Sequence, residues 1–155
     1  MTTTTPRYMA VQGAALLVAC AFLVVGLCGF IPVVTTDYGL LDWAGRSGAK
    51  LFGVFGVSGL HNVMHLVFGV VGLMLIRSYA SARAYLIGGG LAYLAIWVGG
   101  MLIDHIRANV GPASGADNWL HFGLGAAMMI LGLTLAGQRD PTNRQPRGGR
   151  KGHRA

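Results

Sequence analysis

Two stretches decide how this chain folds: Ser58-Gly59-Leu60-His61-Asn62-Val63-Met64-His65-Leu66-Val67-Phe68-Gly69 and Ser114-Gly115-Ala116-Asp117-Asn118-Trp119-Leu120-His121-Phe122-Gly123-Leu124-Gly125. Each opens on Ser-Gly, then carries Asn, His three residues later and Gly four beyond that, and the second copy lies 56 positions after the first. Spacings of three and four residues place Asn, His and Gly on one face of a helix. Ser58 and Ser114 stand where an N-cap hydroxyl would satisfy free amides of the first turn. Both copies lie in strongly apolar sequence, where an unpaired polar group costs several kcal/mol in hydrocarbon. A polar face repeated there is a candidate site.

Working outward, charge-free runs extend from Tyr8 to Thr36, Leu51 to Ile76, Ala84 to Ile103 and Asn118 to Gly137. Each reaches the roughly 20 residues that cross about 30 Å of hydrocarbon as a helix. Of the 155 residues 54% are apolar, and Glu is absent. The expected fold is an all-α, polytopic membrane protein with four transmembrane helices over about 8–34, 55–76, 84–103 and 118–137. Leu51 to Val57 is read as a short interfacial helix or the start of the second span. The transmembrane domain, 8–137, follows a short N-terminus, 1–7, and precedes a basic tail, 138–155, whose Arg, Gly and Pro predict disorder. Each motif copy begins the second helix of a pair, and both pairs run the same way. This predicts two parallel two-helix repeats about a pseudo-two-fold axis along the membrane normal. In the first helices the match is limited to Tyr8 with Tyr85 and Gly13 with Gly90. Many of the 25 glycines fall inside the spans, and Gly69 and Gly125 are expected to give spans two and four a tight contact.

With four spans, Arg7, Arg77, Arg83 and the tail cluster Arg139, Arg144, Arg147, Arg150, Lys151 and Arg154 share one side, against Arg46, Lys50 and Arg107 on the other. That bias places both termini in the cytoplasm. The formal charge of +7 is mostly a property of the tail. Basic residues just cytoplasmic of a span gain about 1 kcal/mol each from anionic headgroups, so the expected partners are the bilayer and those headgroups, not nucleic acid. Leu17-Val18-Ala19-Cys20 resembles a lipoprotein cleavage box, but the apolar sequence continues past Cys20 and argues for an uncleaved span. Cys20 and Cys28 would lie roughly 12 Å apart along a helix, too far for a disulfide.

The polar residues gather toward the outer side. His65 and His121 lie at similar depth, Asn62 and Asn118 one turn nearer the surface, and Asp117 occupies in the second copy the place of His61 in the first. Asp104 and His105 fall near the same rim. The plainest reading of these side chains is interhelical hydrogen bonding. His65 and His121 are also candidate cofactor ligands, because paired imidazoles on neighbouring helices hold b-type haem. His61, His65 and His121 have the chemistry for a transition metal without a diagnostic spacing, so no metal site is assigned. Intramembrane ionisable groups also admit proton, ion or quinone handling. No nucleophile–base pair, phosphate loop or carboxylate pair is visible, which argues against an enzyme. The expectation is a non-enzymatic structural or complex-associated membrane component without a cofactor. The alternatives are a haem- or metal-binding redox subunit using His65 and His121, and a small ion or proton conduit.

The chain resembles the domain of unknown function 4383 family. The resemblance rests on Gly-Phe-Ile-Pro (Gly29 to Pro32), Leu-Phe-Gly-Val-Phe-Gly-Val (Leu51 to Val57), His-Asn-Val-Met-His-Leu (His61 to Leu66), Arg-Ala-Tyr-Leu (Arg83 to Leu86) and Ala-Asp-Asn-Trp-Leu-His (Ala116 to His121). It extends from about Arg7 to Gly137, and the two Asn-x-x-His elements are its most specific parts. It implies a small four-helix bacterial membrane protein; the expected location is the inner membrane, multi-pass, and packing against itself or a larger complex is the expected association. It carries over no catalytic residue.

Overall fold

A computed structural model describes residues 9–44, 47–107 and 115–135, the side chains of 103–107 excepted. The N-terminus expected to be cytoplasmic, Ser114 and the basic tail lie outside the described residues. The described part is mostly helical: α1 (Ala10–Cys28), α2 (Gly59–Leu75), α3 (Tyr79–Arg107) and α4 (Gly115–Thr134). Two of them, α1 and α3 over Tyr79–Leu102, are long and apolar enough to cross a membrane, and α2 is a shorter apolar helix. At 1.5 Å per residue α1 is about 28 Å long and α2 about 26 Å.

The connection between α1 and α2 is not helical. Thr35–Thr36 (β1), Lys50–Leu51 (β2) and Phe55–Gly56 (β3) form a three-stranded antiparallel sheet. This adds a small sheet to the expected helices and corrects the helical reading of Leu51 to Val57. Phe52 and Gly53 take positive φ, 52° and 71°, the backbone that turns a tight hairpin and that glycine accepts freely. The amides of Leu51 and Phe55 therefore face a partner strand instead of a helical ladder. Ala49, Leu51 and Val57 form a small buried cluster under this sheet, against Val25 and Cys28 of α1.

The α2 start shows why the loop folds back on it. The four amides that open a helix have no partner within it. Gly59 N–H donates to the Asp42 carbonyl (2.9 Å) and Leu60 N–H to that of Trp43 (2.7 Å). His61 N–H donates to the Ser58 hydroxyl (3.2 Å), and Asn62 N–H to the Ser58 carbonyl (2.9 Å). Ser58 is thus the N-cap that its position suggests. At the other end a short turn joins α2 to α3, which begins at Tyr79, so Ser81 and Arg83 lie in its first turns.

The helices pack as two antiparallel pairs, α1 with α2 and α3 with α4. Small residues set the spacing. A Cβ on Gly69 would lie 2.9 Å from the Ala19 carbonyl oxygen and 2.5 Å from Leu23 Cγ in α1. One on Gly125 would lie 3.0 Å from the Gly90 carbonyl oxygen and 2.9 Å from Leu94 Cγ in α3. The two glycines thus close each pair internally, and do not face one another across spans two and four. The far ends are tied by side chains: Gln12 Nε2 donates to the Ile76 carbonyl (2.8 Å) and Arg83 Nε to the Gly132 carbonyl (3.2 Å).

Polarity runs inside out. Asn62 is 0% exposed and His65 4%, with Gln12 and Asn118 also buried, whereas Leu17 is 74% exposed and Ile130 60%. The core between the pairs is Val11, Ala15, Phe22, Ala82, Tyr85, Leu86, Tyr93 and Met128.

Candidate functional site

α2, α3 and α4 deliver His61, His65, Tyr93 and His121 to one place. The His61 and His65 rings lie 4.5 Å apart between centroids, and His61 and His121 5.9 Å. Tyr93 stands 6.4 Å from His65 and 5.5 Å from His121. The four rings line a cleft of about 300 Å³, together with Met64, Phe68 and Ile96.

The cleft has a closed floor and a covered back. Phe22 stacks on His65 at 5.5 Å and lies 5.1 Å from Tyr93 and 5.6 Å from Phe68. Tyr85 beyond them donates its hydroxyl to the Phe68 carbonyl (3.3 Å). Behind the histidines, Leu51, Phe55 and Val57 of the sheet region cover a cavity of about 20 Å³, shared with His61, His65, Asp117 and His121. That is room for a single water. Asp117 holds the cover down, its carboxylate accepting from Gly56 N–H at 3.2 Å. His61 and Asp117, which hold equivalent places in the two motif copies, border the same small cavity.

Two members of the polar set serve packing. Asn62 lies against Gly29 at the end of α1, and Asn118 against Gly100 of α3. With its amide turned to satisfy both atoms, Asn118 donates to the Trp97 carbonyl and accepts from Met101 N–H, each at 3.2 Å. Both side-chain atoms of Asn62 are buried without a partner, as is Nδ1 of His65. Asp104 and His105 fall in the last turns of α3, and their side chains lie outside those described.

The imidazoles stand ring against ring. A macrocycle ligated between His65 and His121 would compete for the space of His61 and Tyr93, each of which contacts both. Among the described residues no group of three His, Cys, Asp or Glu side chains converges as a metal site.

Three contributors escaped the sequence reading: Tyr93, Phe22 and the hairpin around Phe55. Phe22 and Tyr93 do bear a signal. They occupy matching places in α1 and α3, one on His65 and the other on His121, both at 5.5 Å. The motif spacing in α2 and α4 carries no register for α1 and α3, so it could not reveal them.

The model of the family DUF4383, a domain of unknown function, matches residues 12–134. That stretch takes in all four rings of the cleft and the sheet. No curated protein and no solved structure gives a significant match.

Proposed function

We propose that this chain, which belongs to the DUF4383 family, is a four-span inner-membrane protein that presents one ligand-binding cleft toward the outer side and performs no catalysis of its own. The inside-out polarity carries the reading: amides and imidazoles are buried while leucine, valine and isoleucine cover the perimeter. In water that perimeter would be an apolar patch far beyond what a monomer tolerates. In lipid it is the natural surface, and close packing through glycine replaces the missing hydrophobic drive. All three tryptophans, Trp43, Trp97 and Trp119, lie toward the histidine end, as interfacial aromatics do. Both termini and the turn between α2 and α3 are then cytoplasmic, where the arginine bias lies.

The two helix pairs are read as a duplicated unit. Gln12–Ile76 corresponds to Arg83–Gly132, Leu23–Gly69 to Leu94–Gly125, Phe22–His65 to Tyr93–His121, and Gly29–Asn62 to Gly100–Asn118. In every case the second partner lies 71 positions on in the first helix and 56 in the second. This register replaces the match of Tyr8 with Tyr85 and Gly13 with Gly90. The longer first connection is where the sheet sits, so among the described residues the cover over the histidines comes from the first unit.

A binding role fits better than a conduit, because the residues buried between His65 and Gln12 are aromatic, aliphatic or glycine. The arrangement is tested by thiol mapping in a background with Cys20 and Cys28 replaced. Val33→Cys should react with an impermeant maleimide in intact cells, and Ala80→Cys only after permeabilisation. Labelling of both in intact cells would refute the four-span arrangement.

A further inference from the structure

We infer that the cleft between α2, α3 and α4 binds a lipid-soluble quinone that enters sideways from the bilayer. The inference rests on the membrane reading above, and five features of the cleft select the occupant.

His65 is 4% exposed, and its Nδ1 has no partner. A buried imidazole nitrogen left unpaired in hydrocarbon is costly, and the ring that carries it borders both the cleft and the small cavity behind it. Among the described residues no Lys, Arg, Asp or Glu lines it, so an anionic headgroup would find no counter-charge from them. The mouth is apolar, with Leu60 45%, Met64 49% and Ile96 49% exposed, which admits a molecule dissolved in lipid. The remaining walls are rings, Phe68, Tyr93, His61 and His121, which suit a flat partner. At about 300 Å³ the space is at the small end of ligand sites, enough for a quinone ring with its tail left in the bilayer.

The polar chemistry agrees. A neutral imidazole has one donor and one acceptor nitrogen, and a phenol is both. A quinone carbonyl accepts from such donors, and a quinol hydroxyl donates to such acceptors. His65, His61, His121 and Tyr93 can therefore satisfy either form without a net charge in the membrane.

The test uses the full chain in lipid nanodiscs free of quinone, titrated with decylubiquinone and read by native mass spectrometry. One saturable equivalent per chain is expected. His65→Phe should weaken binding at least tenfold by removing the imidazole from the cleft wall. Ile96→Trp should do the same by filling the mouth, and because Ile96 is half-exposed the thermal unfolding should be unchanged. Non-saturable uptake, or binding by both variants equal to that of the unsubstituted chain, would overturn the inference. So would displacement by palmitate at equal concentration, which would make the occupant an acyl chain. Thiol mapping reads the spans separately, so lost quinone binding with intact topology overturns the occupant alone.

Discussion

Replacing Gly69 by alanine should destabilise the fold by an amount that the packing sets directly. The added Cβ would lie 2.5 Å from Leu23 Cγ and 2.9 Å from the Ala19 carbonyl oxygen, against an ordinary carbon contact of about 3.5–4.0 Å. Leu23 can leave its rotamer at a cost of about 0.5–1.5 kcal/mol, but the Ala19 oxygen is backbone and moves only with α1. The helices must part by about 1 Å, and overpacking of this kind costs about 1–3 kcal/mol. Alanine also favours the helix over glycine by about 1 kcal/mol, which hides part of the effect. Gly123→Ala removes that ambiguity, since nothing lies within 4 Å of its Cβ. The expected difference between the two variants is about 2 kcal/mol, with Gly69→Ala the less stable. Gly125→Ala should match Gly69→Ala, because it meets the Gly90 carbonyl oxygen at 3.0 Å in the same way. Equilibrium unfolding in mixed micelles, followed by circular dichroism, measures all three. Gly69→Ala within about 0.5 kcal/mol of Gly123→Ala would refute the close packing of α1 on α2.

The two asparagines should respond in opposite directions. Asn118→Leu loses bonds to Trp97 and Met101 and should cost about 1 kcal/mol, whereas Asn62→Leu removes an amide with no partner and should be neutral or stabilising in the same unfolding assay. Asp117→Ala should release the sheet from α4, speeding hydrogen exchange at the Gly56 amide roughly five- to tenfold for a bond of about 1 kcal/mol. Asp117→Asn, which keeps an acceptor, should change it little. Phe52 holds a φ of 52° that costs a non-glycine residue about 1–2 kcal/mol, so Phe52→Asn should raise stability by about 1 kcal/mol. A fall instead would mean that the ring itself anchors the hairpin.

Local spacing and composition made much of this protein legible. Asn62, His65 and Gly69 share one face because helix geometry puts them there whatever surrounds them. Ser58 caps α2 because a hydroxyl beside free amides does so locally. Apolar run length marked the helices, since apolar runs of about 20 residues are too long for strands. Leu51 to Val57 was not legible. Its apolar residues suit a helix or a strand, and only pairing with Thr35–Thr36 and the positive φ at Phe52 and Gly53 decided for the sheet.

The sequence alone determined that a polar face occurs twice in apolar segments, and which residues lie on it, because spacing of three and four is a property of one helix. Only the tertiary structure decided what those faces meet. The glycines turned out to close each pair on its own first helix, the asparagines to pack on Gly29 and Gly100, and the histidines to gather with Tyr93 around a cleft. Helix register and the path of a connecting loop are set by steric fit between elements distant in the chain. A single segment carries no record of that fit.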